Sequence, residues 1–195
     1  MRLAFLAFAA VLLGTAGAQA DCAADFAAIM HHGREVGPFR VEGEASVGAL
    51  RMVTVTEVVP PDAAHVHVST PQGDQEVIVT GGQAWGNVKG FWLPLDEATA
   101  RQMQTDFALA GILYSDKAQN VQCLGETMVD GTQYLGFKYD AAIANFTVPM
   151  TVYVDPASRL PVRTEGTMQS GGDTARFSAT YKLAPDLKIV PPPKP

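Results

Sequence analysis

Between residues 146 and 154 the chain alternates without a break, with Phe146, Val148, Met150, Val152 and Val154 separated by Thr147, Pro149, Thr151 and Tyr153. Successive side chains of a strand point to opposite faces, so this run gives one apolar face and one polar face. The pattern returns at Phe177, Ala179, Tyr181 and Leu183 against Arg176, Ser178, Thr180 and Lys182. An antiparallel sheet of this kind can leave its polar face in water but must cover the apolar one. Two helical segments are available for that. In 21–36, Phe26, Ile29 and Met30 recur at helical spacing, with Asp21 and Asp25 early and His31, His32 and Arg34 late, the charge order a helix dipole favours. Gly37-Pro38 ends it. The second is predicted to start after the N-cap residue Asp96 and to run to about Leu113, with Met103, Phe107, Ala110 and Tyr114 near one face.

The rest reads as strands. Segments 39–48, 50–59, 63–70 and 74–80 are rich in Val, Thr and Ile, and are punctuated by Pro60-Pro61-Asp62, Pro71-Gln72-Gly73 and Gly81-Gly82. Asp155-Pro156-Ala157-Ser158 and Ser170-Gly171-Gly172-Asp173 supply later turns. The fold class is α+β. At 195 residues, 47% apolar and 17% charged, the chain suits one domain, and its net charge of −6 has the wrong sign for gripping nucleic acid through phosphates.

Residues 1–20 read as a secretory signal peptide: Met1-Arg2, an apolar run from Leu3 to Leu13, then small residues closing on Ala18-Gln19-Ala20. That run is too short to span a bilayer, and no other stretch approaches the roughly 20 apolar residues a spanning helix needs. Asp21 directly before Cys22 is unlike a lipoprotein cleavage box, so a soluble periplasmic protein is expected. Its domain would be 21–190, followed by a Pro-rich tail at 191–195. Cys22 and Cys123 are the only cysteines, and in an oxidising compartment they most simply pair, free or intermolecular thiols being the alternative.

His65 and His67 share a strand face, but a metal needs three or four converging ligands, so neither a metal nor another cofactor is expected. Trp85, Phe91 and Trp92 suit core or rim positions or a cavity wall, and Gly86-Asn87-Val88-Lys89-Gly90 between them could flex as a lip. Glu42 and Glu44 suit a solvated face. No nucleophile, metalloprotease or phosphate-loop motif is present in the sequence, which argues against an enzyme.

Three passages carry a family likeness. They are Gly81-Gly82-Gln83-Ala84-Trp85 continuing to Phe91-Trp92-Leu93-Pro94-Leu95, Val152-Tyr153-Val154-Asp155-Pro156 followed by Arg159-Leu160-Pro161-Val162-Arg163, and Tyr181 with Ile189-Val190-Pro191-Pro192. With the order of elements, the chain resembles the LolA/LolB superfamily of periplasmic lipoprotein carriers and receptors over most of 21–192. The resemblance implies an incomplete antiparallel barrel, a half barrel, with helices against its concave face. It also implies a binding protein for acyl chains of a lipid or lipoprotein; a monomer that performs no chemistry is expected. The lining candidates are Val66, Val68, Leu135, Phe137, Met150, Val152, Phe177 and Tyr181, with Met103 and Phe107 from the second helix. Carriers of the LolA type have an arginine ahead of the third strand, whereas here Val59 to Ala64 contains none. A module that binds another envelope protein, its core closed, is the alternative use of the same fold.

Overall fold

A computed structural model describes residues 15–107, 113, 115–143, 146–170 and 172–193. Helix α1 (Thr15–Glu35) leads into strands β1 (Phe39–Val47), β2 (Leu50–Val59), β3 (Ala63–Thr70), β4 (Gly73–Thr80), β5 (Gln83–Val88) and β6 (Phe91–Pro94). Helix α2 (Glu97–Phe107) follows. A short 3-10 turn (Ser115–Lys117) then opens β7 (Ala118–Val129), β8 (Thr132–Ile143), β9 (Phe146–Val154), β10 (Pro161–Ser170) and β11 (Asp173–Leu183).

The eleven strands of the described residues form one antiparallel sheet in the order β6-β5-β4-β3-β2-β1-β11-β10-β9-β8-β7, and among these residues β6 and β7 are its open edges. The chain lays down β1 to β6 outward from the middle, then β7 to β11 inward from the far edge, so β1 and β11 meet at the centre from Phe39↔Leu183 to Val47↔Ala175. Turn chemistry sets the hairpins. Asp130 (φ 50°) and Gly131 (φ 81°) join β7 to β8, and Lys89 (φ 52°) and Gly90 (φ 88°) join β5 to β6, both being two-residue turns whose positive φ matches strand twist. The expected lip is thus corrected: Gly86 to Val88 belong to β5, and only Lys89-Gly90 is loop, closed by a Gly90 N–H bond to Asn87 Oδ1 at 2.8 Å.

Val148, Met150, Val152 and Val154 of β9 share one face, here called the inner face. Helix α1 packs Cys22, Phe26, Ile29 and Met30 there, in one core cluster with Phe137, Tyr139, Val148, Met150, Val152 and Val154. The helix begins earlier than the sequence predicted, because the Ala-rich stretch before Asp21 carries no helix breaker beyond Gly17. Asp96 caps α2 as expected: its Oδ1 accepts the Thr99 N–H at 3.0 Å and its Oδ2 the Thr99 hydroxyl at 2.6 Å, and these bonds hold its carboxyl below the ordinary aspartate range. α2 is described only to Phe107, so Ala110 and most of the predicted extension to Leu113 lie outside the described residues. Among the described residues no helix is long and apolar enough to cross a membrane.

Candidate functional site

Strand register decides which of the predicted lining residues can meet. Val66 stands opposite Thr56, Thr56 opposite Val41, and Val41 opposite Tyr181. Phe177 stands opposite Gly166, Gly166 opposite Met150, and Met150 opposite Tyr139. Phe137 faces Val152, and Leu135 faces Val154. Since directly opposed residues share a face, all eight strand candidates point to the inner face.

They do not form one cluster. Phe137, Met150, Val152 and Tyr181 are buried in the main core, with Leu135, Phe177 and Phe107 packed against it. Phe26 of α1 sits over two of the aromatics, 5.9 Å from the Phe137 ring and 5.0 Å from that of Tyr139. The Tyr139 hydroxyl, buried among these side chains, donates to the Leu113 carbonyl at 2.7 Å, and burial pushes its pKa well up. Met103 belongs to a second, smaller cluster in which Ala100 of α2 meets Val79 and Ala84. Val66 is 6% exposed but belongs to neither cluster, and Val68 is half-buried.

Where the two helices approach each other the inner face is not filled. A cavity of about 220 Å³ lies between the C-terminal ends of α1 and α2, walled by Phe39, Val58, Ala64 and Phe107 and edged by Arg34 and Gln104. A smaller one, about 70 Å³, lies between Gly33, Phe39 and Tyr181. Of the sequence-predicted residues only Phe107 and Tyr181 line either. The missed residues Phe39 and Val58 did carry a signal, for Phe39 and Val41 alternate at the head of β1. The larger cavity is below the roughly 300–1,000 Å³ of ordinary ligand pockets, so a long chain could be held only by moving a helix. Arg34 pairs with Asp116, which ties the end of α1 to the turn before β7.

Cys22 and Cys123 are disulfide-bonded, as expected, with Cα atoms 5.7 Å apart. The bridge fixes α1 to the edge strand β7. The histidine pair lies on the outer face among carboxylates: His65 Nε2 is 2.8 Å from Glu76 Oε1 and its Nδ1 is 3.4 Å from Glu57 Oε2, while His67 is 3.6 Å from Asp74. Among the described residues no group of three or more His, Cys, Asp or Glu side chains could hold a metal. Phe91, offered as core, rim or cavity wall, is 72% exposed, and Trp85 and Trp92 are half-buried. Glu42 and Glu44 lie on the outer face, paired with Arg40 at 3.1 Å and Arg51 at 2.8 Å.

No protein-family model matches the sequence, and no curated protein does. Solved structures do share the architecture. The Mycobacterium tuberculosis lipoprotein LppX is similar over 88% of this chain and 99% of its own, with 14% identity and a TM-score of 0.62. LprF from Mycobacterium bovis is similar over 89% of this chain and 97% of its own, with 12% identity and a TM-score of 0.58. At such identities the likeness concerns the fold alone, and the open antiparallel sheet with two helices shared with LppX and LprF agrees with the incomplete barrel that the resemblance read from the sequence implies.

Proposed function

We propose that the protein is a periplasmic binding protein that holds acyl chains, of a lipid or of a lipoprotein's anchor, on the inner face of a half barrel for transport or chaperoning in the cell envelope. The observation that carries this is the apolar cavity at the junction of α1 and α2, on a sheet face whose apolar surface continues beneath both helices. In this reading the helices cover the concave face and plug it. An acyl chain enters at the junction and replaces helix contacts, each side of the exchange being worth about 25 cal/mol per Å² of apolar area, so filling and emptying stay close in free energy. Residues 1–20 are removed on export. The described core contacts of α1 run from Cys22 to Met30, all beyond that cleavage point, and so survive it. The domain is then 21–190, a monomer that performs no chemistry.

Protein purified without detergent should release lipid on organic extraction and take up a fluorescent fatty acid saturably. Phe107→Glu places a carboxylate on the cavity wall at a half-buried position and should abolish uptake while leaving the fold intact. A native protein that yields no lipid and takes up no probe would sink the proposal. A closed interaction module is the second reading, favoured by the sealing of Val79, Val152 and Val154, each 0% exposed. It requires that no probe be taken up.

A further inference from the structure

The sheet contains a break that acyl-chain binding does not use. The β9–β10 ladder runs from Pro161↔Val154 to Gly166↔Met150 and stops, although β9 extends back to Phe146 and β10 on to Ser170. The cause is Pro149. The Thr151 carbonyl accepts a bond from Thr164 Oγ1 of β10 at 3.0 Å, so the backbone groups of Thr151 face β10. That orientation recurs at every second residue of a strand, so position 149 faces β10 as well, and a proline there has no N–H to give. Beyond it Thr147 and Pro149 on one side, and Thr167 and Gln169 on the other, turn backbone groups toward a seam that has no ladder pairs. Their strands remain paired on the far sides to β8 and β11.

Two open clefts on the sheet mark this seam. One, about 280 Å³, is lined by Thr147, Pro149, Thr167, Met168 and Gln169. The other, about 580 Å³, shares Pro149 and Thr167 and reaches Lys138 of β8 and Arg176 of β11 on the outer face. Its carboxylates are already matched, Glu44 by Arg51 at 2.8 Å and Glu165 by Arg163. Lys138 and Arg176 have no ion pair or side-chain hydrogen bond among the described residues, which leaves a cationic spot on a chain of net charge −6.

We propose that the β9–β10 seam is a docking slot for an extended acidic segment of a partner protein, which adds a strand along Thr167–Gln169 and sets carboxylates against Lys138 and Arg176. Donors and acceptors spaced every second residue are matched by another strand, whereas an acyl chain has no groups to offer them. The two unmatched cations select the sign of the segment. Lys138 and Arg176 lie on the outer face, across the sheet from α1, while Met168 and Phe177 of the two clefts pack against the inner core.

The probe is a fluorescein-labelled eight-residue peptide alternating valine and aspartate, with a valine–lysine counterpart, measured by anisotropy against the native protein. The acidic peptide should bind saturably and the basic one should not, and bound peptide should slow amide exchange at Thr167 and Gln169. Thr167→Pro removes an N–H that, by the alternation set at Thr151, faces the seam and donates no bond to β11, so it should weaken binding tenfold or more with the fold retained. Pro149→Thr restores the missing donor, lets β9 close onto β10, and should weaken binding similarly. Should either backbone variant fail to fold, Lys138→Gln/Arg176→Gln decides, because both side chains are exposed and should cost affinity without touching the core. The proposal is overturned if the acidic peptide shows no saturable binding, if binding is unchanged in folded Thr167→Pro or in the double variant, or if phosphatidylglycerol vesicles capture the protein while the peptide does not.

Discussion

The Phe26 ring of α1 lies 5.0 Å from the ring of Tyr139 on β8, tilted by 47°, and both rings belong to the larger core cluster. Phe26 is 3% exposed and also meets Phe137. Phe26→Ala removes both aromatic contacts and leaves a void that a helix pinned by a disulfide cannot collapse to fill. A loss of about 3–5 kcal/mol is expected, read as a lower denaturant midpoint at unchanged slope. A cost below about 1 kcal/mol would mean that α1 is not docked as described.

The disulfide closes a loop of 101 residues between α1 and β7. In the chain-entropy model a loop of that size stabilises by about 4–5 kcal/mol, less any strain. Cys22→Ser/Cys123→Ser should therefore melt well below the native protein, and reductant should shift the native melting temperature but not that of the double variant.

Gly166 is a packing requirement, because a Cβ there would run into the Met150 side chain and approach the Pro149 carbonyl at 3.2 Å. Gly166→Val should destabilise by about 1–3 kcal/mol, the usual range for overpacking. Met150→Ala in the same chain should recover part of that loss, a coupling that a double-mutant cycle measures directly.

The His65–Glu76 pair gives a pH dependence of definite sign. Burial alone would raise the Glu76 pKa, but hydrogen bonds from His65 and Asn87 and the nearby histidine charges outweigh it and hold the carboxyl below its usual range. A carboxyl depressed on folding adds stability above its unfolded pKa and loses it as pH falls through the folded value. In urea titrations the native protein should lose more stability than Glu76→Gln as pH drops below about 4.5, the ordinary value for this group. Parallel profiles would show that the pair contributes nothing.

Much of this architecture is legible in the residues. The alternation at 146–154 and 177–183 gives the faces of β9 and β11, the proline and glycine punctuation gives β2 and β3 to the residue and β1 and β4 to within one, and Asp96 marks the start of α2 through its own side-chain chemistry. What the pattern does not carry is assembly across long separations. Nothing local distinguishes Phe39 and Val58, which wall the cavity between the helices, from Phe137 and Val152, which lie under α1, because that difference is set by where each helix lands. Pro149 shows the same limit. In sequence it is one more residue on the non-apolar side of an alternating strand, and only the bond to Thr151 reveals that its missing donor faces a neighbouring strand.

The strand order has a kinetic meaning. Among the described strands every paired neighbour but one is also a neighbour along the chain, and the exception is β1 with β11. The sheet is thus two meanders, each able to form from nearby contacts at small cost in loop entropy, joined by a single long-range closure. Folding speed should be governed by that one meeting of the first and last strands. A circular permutant that links the end of β11 through α1 to β1, and opens the chain between α2 and β7, would make β11 and β1 successive strands along the chain and turn the one long-range closure into a local one.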